Sequence, residues 1–105
     1  MLSNTKSFLR NPIKRKSKFY VYILECKDGT YYAGYTNNLE KRIELHNKGY
    51  GAKYLRGKLP VELVYYKEYK TRKSAMHEEI KIKNKKREEK GELIKEYETK
   101  TKWRT

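Results

Sequence analysis

The chain has 105 residues, 27 of them Lys or Arg and 13 Asp or Glu, for a formal net charge of +14. That length holds one domain with one modest core, and no run approaches the roughly 20 apolar residues that span a bilayer. The single cysteine, Cys26, excludes an intrachain disulfide framework and points to a reducing, cytoplasmic setting.

A positive field of this size draws polyanions, nucleic acid above all. Residues 1–18 carry Lys6, Arg10, Lys14, Arg15, Lys16 and Lys18 and no acid. With no continuous apolar stretch they read as a mobile basic arm, not a secretory signal. The domain proper is expected over 19–97, with a basic, frayed tail at 98–105 in which Trp103 is suited to docking.

FYVYILE (19–25) is rich in β-branched and aromatic residues and reads as a strand. Lys27-Asp28-Gly29 is a turn, and TYYAGY (30–35) a second strand, giving a β-hairpin. A two-residue Asp28-Gly29 turn would pair Lys27 with Thr30. A three-residue loop with Gly29 left-handed pairs Cys26 with Thr30 and is the preferred register. It sets Leu24 opposite Tyr32 and Tyr22 opposite Gly34. Tyr20, Tyr22, Tyr32 and Gly34 then share one face, and Val21, Ile23, Ala33 and Tyr35 the other.

Asn37 reads as the N-cap of a helix, with Glu40 completing a capping-box-like pair and Gly49 ending it near Lys48. Residues 50–60 (YGAKYLRGKLP) read as a basic loop, 61–69 (VELVYYKEY) as a third strand. Thr71 caps a second helix from 72 to about 84, and 86–98 suggest a third. The fold expected is α/β (α+β): a small three-stranded, mainly antiparallel sheet flanked by helices.

Both of the first two helices carry polar residues on an inward side. At about 100° per residue, Leu39, Arg42, Ile43 and His46 fall within one arc. On the second helix Ala75, Met76, Ile80 and Ile82 define an apolar sector that contains Glu79 and leaves Glu78 and Lys81 outside. A buried carboxylate is costly unless it is paired or binds a cation. The ordinary partners are Lys83 at i+4 or Arg42 across the core. His77 falls between Lys73 and Lys81 on the far side and has no role. Cys26, His46 and His77 lack zinc-ligand spacing.

A strand with Tyr22, a strand with Tyr32-Ala33-Gly34, a helix with Arg42 and His46, and a helix with Glu79, in this order, resemble the GIY-YIG nuclease superfamily. The first motif falls on Tyr20-Val21-Tyr22 and the second on Tyr32-Ala33-Gly34. Tyr20 stands in the place of the first motif's glycine and Ala33 in that of the second motif's isoleucine. YAGYTNNLEKRIELHNKG (32–49), RKSAMHEEIKIK (72–83) and the GAKYLRGKLPVELVYY segment (51–66) are similar to those of small stand-alone bacterial members.

The resemblance implies a metal-dependent endonuclease that hydrolyses phosphodiester bonds in DNA. Glu79 would hold Mg²⁺ or Mn²⁺, Arg42 would donate to phosphate oxygens, and Tyr22 and Tyr32 would flank the attacking water, one as base or orienting group. His46 would assist proton transfer or hydrogen-bond a tyrosine, and Gly34 would let the substrate backbone approach. In the basic loop, Lys53, Arg56 and Lys58 suit phosphates, and Tyr54, like Tyr50, suits stacking on bases. The alternative is a nucleic-acid-binding module that keeps the fold without catalysis.

Overall fold

The computed structural model describes residues 18–104, with side chains described to Thr99. The arm, apart from Lys18, and the Trp103 side chain lie outside the described residues. Strands β1 (Phe19–Glu25), β2 (Tyr31–Thr36) and β3 (Glu62–Tyr69) form an antiparallel sheet in the order β2-β1-β3. Helices α1 (Leu39–Asn47), α2 (Arg72–Lys83) and α3 (Arg87–Arg104) complete the chain. Among the described residues no helix is long and apolar enough to cross a membrane.

The hairpin has the three-residue loop. Gly29 adopts φ 87°, and the Cys26 N–H donates to the Thr30 carbonyl at 2.8 Å. Leu24 stands opposite Tyr32 and Tyr22 opposite Gly34. On the other side of β1 the pairing slips between Ile23 and Leu24, opposite Tyr65 and Leu63, so that Val64 is the extra residue of a bulge in β3.

Alternation along the central strand builds two cores. Val21, Ile23, Ala33 and Tyr65 meet Ala75 and Ile82 of α2 and Ile94 of α3 on one face. Tyr22, Leu24 and Cys26 meet Leu55 and Val61 on the other, with Leu39 and Ile43 of α1 packed beside them. Val21 to Leu24 are all buried, each aliphatic side chain contributing about 1.5–3 kcal/mol of transfer free energy. The sheet therefore separates α1 from α2 and α3, and residues from both sides meet at its β2 edge.

Three expectations are corrected. The N-cap of α1 is Asn38, not Asn37: the Thr36 hydroxyl accepts the Asn38 N–H at 3.1 Å and turns the chain, and Asn38 Oδ1 then accepts the Lys41 N–H at 3.1 Å. Glu40 sits in the first turn, where the helix dipole favours it. The inward stripe of α2 is Ala75, Glu78, Glu79 and Ile82; Met76 and Ile80 are 40% and 54% exposed. The small Ala75 lets the helix lie close on the sheet, which turns the two larger apolar residues outward. Finally, α3, expected over 86–98, runs from Arg87 to Arg104.

Candidate active site

A cleft of about 290 Å³ opens at the β2 edge, lined by Tyr22, Tyr32, Gly34, Arg42 and Glu79 together with Phe19, Tyr35, Thr36, Asn37 and Arg72. Strands β1 and β2 supply the tyrosines, α1 supplies Arg42 and α2 supplies Glu79. Four of the five catalytic candidates thus line one cavity, and the fifth, His46, lies directly behind Tyr22.

His46 is 2% exposed, at the C-terminal end of α1. Its imidazole is gripped at both nitrogens. The Ala52 N–H donates to Nδ1 at 3.2 Å, and Nε2 lies 3.1 Å from Tyr22 Oη. A backbone N–H can only donate, so Nδ1 is the unprotonated nitrogen and the proton sits on Nε2. Tyr22 Oη therefore accepts from His46, and its own proton is left for the cleft. Burial, then the nearby Arg42 charge, holds the His46 pKa below its ordinary value, in keeping with a neutral ring.

Tyr22 is itself buried, and burial is the largest cause of a phenol pKa well above the usual range. Tyr32 adds to the rise, Arg42 opposes it and Glu79 adds to it. Both charged residues thus act on this one hydroxyl. Gly34 makes the phenol's position possible: a Cβ there would stand 2.6 Å from Tyr22 Oη. The space expected to admit the substrate backbone is occupied by the Tyr22 hydroxyl.

The loop after α1 closes on His46. Asn47 clamps Val61, accepting its N–H at 2.8 Å and donating to its carbonyl at 3.2 Å, while Leu55 is buried in the α1-side core. Gly51 is pressed against the imidazole, and a Cβ built on it would lie 1.9 Å from Nδ1.

Glu79 is part-buried, its side chain 17% exposed, and Oε2 stands 3.6 Å from Lys83 Nζ on a half-exposed side chain. Of the two partners considered for it, Lys83 is the one realised, and at a long distance. Among the described residues no cluster of three or more His, Cys, Asp or Glu side chains is present. One carboxylate beside an open cleft suits Mg²⁺ or Mn²⁺, hard ions that keep waters and take substrate phosphate oxygens as ligands; it does not suit a closed four-ligand site.

A family model described as the GIY-YIG catalytic domain matches residues 18–100. The chain belongs to the GIY-YIG family. A UPF0213 protein of Streptococcus pneumoniae is 47% identical over 79 residues, 75% of this chain and 80% of its own length. Another, from Clostridium perfringens, is 53% identical over 75 residues, 71% of this chain and 81% of its own. The chain is also similar to two solution NMR structures. That of a UPF0213 protein from Bacillus halodurans is 44% identical with a TM-score of 0.50, over 74% of this chain and 83% of that one. That of an E. faecalis protein is 36% identical with a TM-score of 0.56, over 80% and 90%.

In this GIY-YIG domain the basic loop is more ordered than its composition suggests. Lys53 to Leu55 form a 3-10 turn; Lys53, Tyr54 and Arg56 are exposed. Tyr54 stacks on Tyr32, ring centroids 6.0 Å apart, and Tyr32 meets the His46 ring edge-on at 5.7 Å. Lys58 is already engaged: its Nζ lies 3.0 Å from Asp28 Oδ2 and within 3.3 Å of Thr30 Oγ1 and Tyr54 Oη. A phosphate would share it with Asp28.

Sequence reasoning missed Gly51, Asn47, Asn37 and Arg72. Gly51 carries no positive-φ signature, and the other three read as ordinary helix-end residues.

Because the folded His46 resists protonation, its contribution to stability depends on pH. The unfolded chain takes up the proton first as pH falls through about 6.5. Stability at this residue is therefore full above that pH and lost below it. Melting curves at pH 7.5 and 5.0 are expected to show a smaller acid-induced drop for His46→Gln than for the native chain.

Proposed function

We propose that this protein is a metal-dependent endonuclease acting on DNA, its site formed by Tyr22, Tyr32, Arg42, His46 and Glu79. The observation that carries the reading is the meeting, at one sheet edge, of a guanidinium and a carboxylate from opposite faces with a buried phenol whose oxygen is held by a neutral imidazole.

Hydrolysis needs a water placed opposite the leaving oxygen, an acceptor for its proton and positive charge on the phosphate. Arg42 supplies two parallel donors for the phosphate oxygens. Tyr22, once ionised, takes the proton of the water as its oxygen bonds to phosphorus. The P–O bond to the leaving oxygen breaks, and that oxygen is protonated from solvent. The His46 Nε2–H stabilises the phenolate it faces, and Tyr32 packs against that imidazole. Glu79 would hold Mg²⁺ or Mn²⁺, which when bound adds positive charge at the phosphate and offsets the carboxylate's opposition to Tyr22 ionisation.

Lys53, Arg56 and Tyr54 extend the surface next to Tyr32, where cations hold the backbone and the ring stacks on a base. We place this activity in the cytoplasm, where a single buried free cysteine is at home. One site cuts one strand at a time. The Glu79–Lys83 pair favours the second reading, a binding module in which that carboxylate is structural.

Incubating plasmid and single-stranded DNA with the chain, with Mg²⁺, Mn²⁺ or a chelator, separates the two. The nuclease reading expects cleavage that the chelator stops. Salt-sensitive binding without cleavage under either metal supports the module.

A further inference from the structure

Arg72 is the first residue of α2 and lines the same cleft as Arg42 and Glu79. We propose that Arg72 binds a second backbone phosphate, the one next to the phosphate at which the chain cuts. This rests on the nuclease reading above.

Arg72 is exposed and lies over the face of Phe19, 5.3 Å from guanidinium carbon to ring centroid. Such stacking fixes the plane of the group, and among the described residues none accepts from its five N–H donors. Among the described residues no carboxylate pairs with it. Its place on the helix is locally unfavourable as well. The first turn of α2 contains no acid, and a cation there faces the positive end of the helix dipole. A bound anion would offset both charges.

The topology separates the two guanidiniums. Arg42 comes from α1 on one face of the sheet and Arg72 from α2 on the other, so they approach the cleft from opposite sides of β2. On α2 Arg72 stands seven residues before Glu79, about 10 Å along the helix axis, which sets it away from the carboxylate at the reacting centre. A nucleic-acid strand offers successive anionic phosphates, and one lying across the β2 edge meets Arg42 at the first and Arg72 at the next. The site then requires two consecutive phosphates and selects internal positions of a strand over an isolated phosphodiester.

The test pairs a protein change with a substrate change. The full chain is given a DNA oligonucleotide cut at one mapped position, in versions carrying a neutral methylphosphonate at either phosphate flanking the cut. Arg72→Ala is expected to raise KM about tenfold, with kcat little changed and the melting temperature unaltered, and to lower the salt slope of binding by about one. Arg72→Lys recovers part of the loss. At one flanking position the methylphosphonate costs the native chain the same factor and costs Arg72→Ala nothing more. Lys95→Ala on α3, which removes an equal charge far from the cleft, changes neither.

Equal methylphosphonate penalties in native and Arg72→Ala chains at both positions overturn the proposal, as does a matching loss in Lys95→Ala. If that happens while Arg42→Ala and Glu79→Gln still abolish cleavage, the nuclease reading stands without Arg72. If the chain does not cut, or those two variants cut like the native chain, both fall.

Discussion

Tyr22→Phe is expected to lower the cleavage rate by about 10²- to 10⁴-fold, the range for loss of a general base. The ring stays: its body packs in the α1-side core with Leu24 and Leu55, and only the hydroxyl goes. Removing it leaves the buried His46 Nε2–H without an acceptor, at about 1–3 kcal/mol, so the variant should fold with a modestly lower melting temperature. The pH profile gives a second readout. The folded phenol's pKa lies above its ordinary value of about 10. Below that pKa the ionised fraction grows about tenfold per pH unit. The native single-turnover rate should climb between pH 6.5 and 9, and the climb should vanish in Tyr22→Phe. A variant that keeps it shows that another group, Tyr32 first, accepts the proton.

Gly51→Ala is expected to damage stability and activity together. A Cβ there would stand 1.9 Å from Nδ1, 2.7 Å from Cε1 and 2.8 Å from Cγ of His46, and the buried ring has no space to retreat into. Relief requires moving the imidazole or the loop, and either breaks the bond from the Ala52 N–H. Overpacking of this kind costs about 1–3 kcal/mol or more, which lowers the melting temperature of a domain this size by roughly 4–8 °C per kcal/mol. Displacing the partner of Tyr22 by about 1 Å should cost on the order of 10² in rate. Gly57→Ala is the control, since a Cβ at Gly57 meets nothing within 4 Å. In a His46→Ala background the cost of Gly51→Ala should shrink, because the clash is with that ring. A Gly51→Ala chain that melts like the native protein contradicts the geometry.

The strands and their register were legible because alternation acts twice on β1: its odd and even residues must suit different cores, and only the three-residue turn puts Tyr22 beside Gly34. The inward place of His46 on α1 was legible from spacing alone, since it shares an arc with Leu39 and Ile43; Arg42, expected on the same inward side, is exposed and lines the cleft instead of being buried. On α2 the same method misplaced the face. Two overlapping sectors fit its apolar residues, and the larger side chains, Met76 and Ile80, outweighed the small Ala75 that packing selects. Glu79 belongs to both sectors, so its inward position survived while Glu78 was put outside. The loop over 50–60 lacks any period, and one buried leucine, Leu55, anchors it. Gly51 could not be singled out: what it needs is the absence of a Cβ against a ring from another segment, which no local pattern records. Arg72 looked like an ordinary residue behind an N-cap, and only the meeting of α1 and α2 at the β2 edge gives it neighbours of interest.

The most direct measurement is turnover by Glu79→Gln. Gln keeps the side chain's volume and removes the charge that would hold a divalent cation. Cleavage of one DNA substrate is followed at increasing Mg²⁺ by the native chain and the variant, with DNA binding measured alongside. The expected result is a loss of at least about 10²-fold in rate that added Mg²⁺ does not restore, with DNA affinity unchanged. Native-rate cleavage by Glu79→Gln at every Mg²⁺ concentration would show that this carboxylate serves only Lys83, and that the cleft at the β2 edge is not where the chain cuts DNA.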